Sequence, residues 1–146
     1  MTNSYFTNFI KIVAARFPEK PAAYLFLYLI WNVTLWLLSS ANPPPNNGPE
    51  IPHLDKVVHF TYFFIGASLL TISLGLWLQS FKKLNLILTV SIIGTAIGRL
   101  DEYHQTFTPG RTGNSTGDWL ADIAGSIVGA LFIAKVFLPM MPSQQK

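Results

Sequence analysis

Arg99–Asp122, RLDEYHQTFTPGRTGNSTGDWLAD, lies between two long apolar runs and decides how the chain is read. It holds four of the seven acidic residues, two of the ten basic residues and one of the three histidines. Charge at this density beside hydrocarbon-length segments is expensive to bury. An ionisable residue in such a place therefore marks a functional site unless a structural partner accounts for it. The flanks are Leu84–Leu100 and Trp119–Leu138, each long and apolar enough to cross a bilayer.

The rest of the composition agrees with a membrane setting. Of 146 residues, 50% are hydrophobic and only 12% charged, against roughly a quarter charged in soluble domains. The length fits one compact domain over residues 1–146. With no cysteine, disulfides, thiolate metal sites and cysteine nucleophiles are excluded. The net charge of +3 is small and comes with no basic, solvated face, so nucleic acid is not expected as a partner.

Working outward, Val57–Leu78 is a second apolar run whose only ionisable residue is His59, with Trp77, Gln79, Lys82 and Lys83 at its far interface. Ala22–Ala41 offers 20 uncharged residues, which at about 1.5 Å each reach about 30 Å, the thickness of a bilayer core. Ser39 and Ala41 imitate a signal-peptide cleavage site, but the apolar run is longer than a signal usually carries, so an uncleaved anchor is expected. Residues 1–20 place Phe6, Phe9, Ile10, Val13 and Phe17 at helical spacing with Lys11 and Arg16 among them, as in a helix lying at the membrane interface and ended by Pro18 and Pro21. Asn42–Leu54, with three consecutive prolines, reads as a loop, and Thr106–Gly117 as a polar turn around Pro109-Gly110. Lys135 sits near the end of the last run, which Pro139 and Pro142 close. The expected fold is an all-α membrane protein: an N-terminal interfacial helix over 1–20 and four transmembrane helices over 22–41, 57–78, 84–100 and 119–138.

The basic residues orient this arrangement. Lys11, Arg16, Lys20, Lys82, Lys83, Lys135 and Lys146 fall on one side, and Lys56, Arg99 and Arg111 on the other. The positive-inside rule then puts both termini in the cytoplasm, with Asp55, Lys56 and His59 on the same outer side as Arg99–Asp122. Three helical stripes converge there: Asp55, His59, Tyr62 and Gly66; Gly94, Gly98, Glu102 and Gln105; and Asp118, Asp122, Gly125 and Gly129. Gly94-x-x-x-Gly98 and Gly125-x-x-x-Gly129 allow close helix approach in membranes, so the polar group on each stripe belongs to the inward face.

Structural roles compete for several of these residues. Asp55 suits the N-cap of the second span, and Asp118, Ser115 or Thr116 that of the fourth. Lys56 can snorkel to head groups. Asp101 and Tyr103 read as interfacial. Asn114-Ser115-Thr116 matches a glycosylation acceptor, a match too short to carry weight. Glu102 and Asp122 resist such readings best, since a buried carboxylate needs a partner, and Arg111 and His59 are the available cations. Arg111, after the Pro-Gly turn, suits bidentate binding of phosphate or carboxylate. His59 with Glu102 or Asp118 suits general acid–base work. Histidine with several carboxylates is also a metal-compatible set, but no tight ligand motif such as H-E-x-x-H is present, and neither a metal nor any other cofactor is assigned.

On these residues the sequence resembles the VanZ-like family of small bacterial membrane proteins, named for a teicoplanin-resistance protein. The family's Asp-Lys-x-x-His group is matched by Asp55, Lys56 and His59. Its Asp-Glu-x-x-Gln-x-Phe-x-Pro-x-Arg group is matched by Asp101, Glu102, Gln105, Phe107, Pro109 and Arg111. Its Asp-x-x-x-Asn-x-x-Gly-x-x-x-Gly group is matched by Asp118, Gly125 and Gly129, with Asp122 replacing the usual asparagine. The resemblance runs from about Leu54 to Val136. It implies a bacterial cytoplasmic-membrane protein associated with reduced susceptibility to lipoglycopeptide-type antibiotics, and it supplies no reaction.

Three expectations follow. In the first, an outward-facing polar pocket binds an anionic lipid-linked or glycopeptide-type ligand: Arg111 and Lys56 contact the anion, and Asp55, Gln105, Asp122, Glu102 and Asp118 hold polar groups or position the cations. In the second, His59, Glu102 and Asp118 catalyse hydrolysis or transfer on a lipid head group. In the third, the charges only lock helices together. Membrane lipids or lipid-linked envelope precursors are the expected partners. A homo-oligomer is compatible with the sequence, and alternating-access transport would require one, because four short helices leave little room.

Overall fold

The computed structural model describes residues 4–42 and 52–142. Most of the proline-rich loop read over Asn42–Leu54 lies outside these residues, as does Lys146. The described residues form helices and turns only: α1 (Ser4–Ala14), α2 (Pro21–Ser40), α3 (Leu54–Trp77), α4 (Lys83–Gln105) and α5 (Thr116–Phe132). The last continues through a π-helical segment, Ile133–Phe137, and a 3₁₀ turn, Leu138–Met140. Four helices, Pro21–Ser40, Leu54–Trp77, Lys83–Gln105 and Thr116–Met140, are long and apolar enough to cross a membrane.

The boundaries differ from the sequence reading in instructive ways. The interfacial helix is shorter than the 1–20 expected, ending at Ala14, and Pro21 does not stop it but opens α2. Proline suits that first position because it has no N–H to leave unpaired there. The third span does not stop at Leu100; α4 stays helical through Gln105, and its acidic residues turn inward. Asp55 is not an N-cap: His53, in a left-handed conformation at φ 62°, precedes α3. Ser115 caps α5, its hydroxyl accepting from the Asp118 N–H at 3.3 Å.

α5 is packed most closely between α3 and α4. Gly125 and Gly129 face the α3 backbone: a Cβ on Gly129 would sit 2.5 Å from the Phe64 carbonyl oxygen, and one on Gly125 would collide with that of Phe60. Gly94 and Gly98 of α4 instead admit side chains of α5, Ser126 and Asp122 respectively. α2 joins through Trp31, whose ring fills the space beside Gly66. The Trp31 indole donates to the Tyr62 carbonyl at 3.0 Å, and the Tyr62 hydroxyl donates back to the Trp31 carbonyl at 3.1 Å. Large apolar side chains such as Phe26, Ile30, Val33, Leu88 and Ile92 remain exposed around the bundle, as a hydrocarbon surround requires. α1 packs at the end remote from the charged stretch: Ile10 and Ala14 are buried, and Phe17 meets Phe137 edge-on at 5.4 Å.

Candidate functional site

The glycine contacts decide what meets at the other end of the bundle. With α5 drawn against α3, His59 Nδ1 lies 2.9 Å from Asp122 Oδ1. Asp122 is fully buried, and Gly98 is the reason it fits, since a Cβ there would lie 2.7 Å from Asp122 Oδ2. Sequence reasoning placed His59 and Asp122 on converging stripes, and the structure joins them directly.

α4 contributes two adjacent carboxylates. Glu102 is 1% exposed; its Oε2 accepts from the Ser115 N–H at 2.5 Å, and its Oε1 has no hydrogen-bond partner among the described residues. Asp101 was expected at the interface and is instead 6% exposed. Its Oδ1 accepts a short bond from the Ser39 hydroxyl, and its Oδ2 accepts from Gln105 Nε2 at 2.8 Å. The correction has a helical cause: Asp101 lies seven residues after Gly94, two turns along the buried face. One donor atom each from His59, Asp101 and Glu102 can be chosen so that all three lie within 4.8 Å of one another.

Lys56 and Arg111 stand apart from these carboxylates. Lys56 Nζ bridges Asp55 at 2.8 Å and Asp118 at 3.0 Å, tying the start of α3 to the start of α5. Arg111 was expected to serve Glu102 or Asp122, but it finishes the end of α2: Nη2 donates to the Leu38 carbonyl at 2.8 Å and Nε to that of Ala41 at 3.2 Å. The last carbonyls of a helix have no partner within it, which makes them natural acceptors for a guanidinium. Thr108 does the same for the Ser39 carbonyl at 2.9 Å. Arg111 Nη1 reaches Gln105 Oε1 at 3.5 Å, at the outer limit of a hydrogen bond.

Between α2, α3 and α4 these residues border a cleft of about 220 Å³. Leu35, Leu38, Val58 and Phe63 form its apolar wall, and Ser39, His59, Asp101, Gln105 and Arg111 its polar one. Of the predicted site residues, His59, Gln105 and Arg111 line it, Glu102 and Asp122 stand behind it, and Asp55, Lys56 and Asp118 form a separate ion-pair group. Of the polar wall, Ser39 was not named as a site residue, and Asp101, matched in the family pattern, was read as interfacial rather than as part of the site. The buried spacing of Gly94, Gly98, Asp101 and Gln105 was a signal for Asp101, whereas nothing in the largely apolar α2 marked Ser39, rather than Asn32, Thr34 or Ser40, as a site residue.

The acid–base pair expected between His59 and either Glu102 or Asp118 is not hydrogen-bonded: His59 is held by Asp122 and Asp118 by Lys56. What the arrangement offers is a carboxylate-oriented imidazole, two further buried carboxylates and an arginine with donors to spare. Of five guanidinium N–H groups, three are engaged.

A family model described as VanZ/LLP1 matches residues 7–138, nearly the whole chain. Searches against curated proteins and solved structures found no significant match.

Proposed function

We propose, for a chain that belongs to the VanZ/LLP1 family of membrane proteins, that the cleft binds the polar head of an anionic lipid-linked envelope molecule. The observation that carries this reading is the two-sided lining of the cleft. Its apolar wall is continuous with exposed surface at Leu38 and Val58, where acyl or prenyl chains would lie. Its polar wall presents the remaining Arg111 donors, which suit phosphate or carboxylate. Lys56, expected as a second anion contact, does not line the cleft and is committed to Asp55 and Asp118. On this reading the protein works in the bacterial cytoplasmic membrane and reduces susceptibility to lipoglycopeptides by engaging an envelope precursor. Lys11, Arg16, Lys20, Lys82, Lys83 and Lys135 cluster at or near the helix ends remote from the cleft, which supports a cytoplasmic placement of that end and an outward-facing cleft.

The test fills the cleft without touching a hydrogen bond. Val58 is 56% exposed and contributes only apolar wall, so Val58→Trp adds bulk at the mouth. Wild-type protein expressed in a susceptible bacterial host should raise the inhibitory concentration of a teicoplanin-type lipoglycopeptide. Val58→Trp, at equal abundance in the membrane, should return it to the vector level. Full protection by the filled variant would sink the reading.

A second reading, hydrolysis or transfer on the head group, draws on the proximity of His59 to Glu102. Its test is turnover: purified protein incubated with envelope lipids should change their mass spectrum, and His59→Ala and Glu102→Gln should stop the change. Unchanged lipids would dismiss it.

A further inference from the structure

We propose that His59, Asp101 and Glu102 bind a divalent metal cation, with Asp122 orienting the histidine from behind. The three donor atoms lie within 4.8 Å of one another. An ion about 2.0–2.3 Å from each ligand sets those ligands about 3–4.5 Å apart, so small side-chain movements close the site.

Each member is prepared in a different way. His59 Nδ1 is engaged by Asp122, which leaves Nε2 as the coordinating nitrogen. A carboxylate on the far nitrogen of a ligating histidine fixes its ring and raises its basicity, a recurrent feature of metal sites. Glu102 Oε1 is buried and carries no hydrogen bond among the described residues, an expensive state for a carboxylate oxygen unless a cation faces it. Each Asp101 oxygen accepts one hydrogen bond and keeps a lone pair, and ligating carboxylates are commonly held in this way. Asp122 Oδ2 is a second buried carboxylate oxygen without a hydrogen-bond partner among the described residues, and it does not belong to the triad.

Charge points the same way. Asp101, Glu102 and Asp122 are three buried carboxylates, and among the described residues only His59 lies within ion-pair distance of any of them. Lys56 and Arg111 are bound elsewhere. A structural ion-pair network would require cations that the fold has directed away. Access is available too, because His59 and Asp101 line the cleft. One imidazole with two carboxylates suits borderline-to-hard divalent ions, and Zn²⁺ and Mn²⁺ are the appropriate probes.

The inference shares residues with the head-group reading but does not rest on it, since metal binding is measured with no lipid ligand or antibiotic present. Tag-free full-length protein in detergent, stripped with a chelator, is titrated calorimetrically with Zn²⁺ and separately with Mn²⁺. One ion per chain is expected. Glu102→Gln and Asp101→Asn should each weaken binding at least about tenfold, and Asp122→Asn by about 10–100-fold through loss of the histidine's support. Lys56→Gln should leave the affinity unchanged. Should the ligand variants fail to fold, X-ray absorption of the zinc-loaded wild type reads the donor set directly, with one imidazole among oxygen ligands expected. No saturable binding below about 1 mM, affinity undiminished in both ligand variants, or a donor set without imidazole would each overturn the proposal.

Discussion

Replacing Arg111 by alanine removes the guanidinium that finishes the end of α2. Two of its bonds have good lengths, 2.8 Å to the Leu38 carbonyl and 3.2 Å to that of Ala41. Hydrogen bonds to charged groups contribute about 1.5–3 kcal/mol each. Both of these are exposed, so the lower end applies, about 1.5 kcal/mol apiece. A cation at a helix C-terminus adds about 0.3–1 kcal/mol. The contact with Gln105 is at the distance limit and is left at zero. The expected loss for Arg111→Ala is therefore about 3–4 kcal/mol. Arg111→Lys keeps the charge and can reach one carbonyl but not both, so about half of that loss is expected. The assay is reversible unfolding of the purified protein in mixed micelles, followed by helical circular dichroism. If Arg111→Ala unfolds within about 0.5 kcal/mol of wild type, the tie to α2 is not energetically real and the argument from bond lengths fails. The same arithmetic shows why Arg111→Ala is a poor probe of ligand binding: a lost phenotype would mix a lost contact with a loosened helix. Val58→Trp avoids that ambiguity.

Two further outcomes follow from the helix contacts. A side chain at Gly129 meets the Phe64 carbonyl oxygen at 2.5 Å, and backbone cannot move aside as a rotamer can; Gly129→Ala should cost about 1–3 kcal/mol, and Gly129→Leu should abolish recovery of folded protein from the membrane. His59→Ala strands the buried Asp122 carboxylate and should cost about 3–5 kcal/mol, most of it recovered in the double variant His59→Ala/Asp122→Asn, which removes the stranded charge. Lack of recovery in that double variant, read by the same micelle unfolding, would mean that the pair's contribution is packing rather than charge.

The helices were legible because hydrocarbon thickness imposes a length, and Ala22–Ala41 and Val57–Leu78 each differ by only a few residues from the helices observed. Much of the site was legible as well, because glycine at four-residue spacing marks the face that packs. That logic places Glu102 and Asp122 inward, and the stripe of Asp55, His59, Tyr62 and Gly66 does the same for His59. It stopped short at Asp101, where charge beside a membrane edge was read as surface exposure. Asp101 is carried inward on the Gly94 face of α4, and its carboxylate is satisfied there by Ser39, 62 positions away on α2. Nothing in an almost wholly apolar helix fixes which way that serine turns. Arg111 was misassigned for a related reason. A sequence shows side-chain charges, but the partners it found are backbone carbonyls, which become acceptors only where a helix stops.

The loop between α4 and α5 also carries a consequence in time. Ribosomes release the chain from its N-terminus, and the Arg111 tie to Ala41 joins residues 70 positions apart. At about 5–20 residues per second, α2 exists for about 4–14 s before Arg111 has been made. For that interval the carbonyls of Leu38, Ser39 and Ala41 lack the side chains that later cover them. Completion of the first span is thus postponed until the last hairpin is synthesised. A chain that stalls before Thr108 keeps all of α2's apolar length while the carbonyls of Ser39 and Ala41 still lack their side-chain donors.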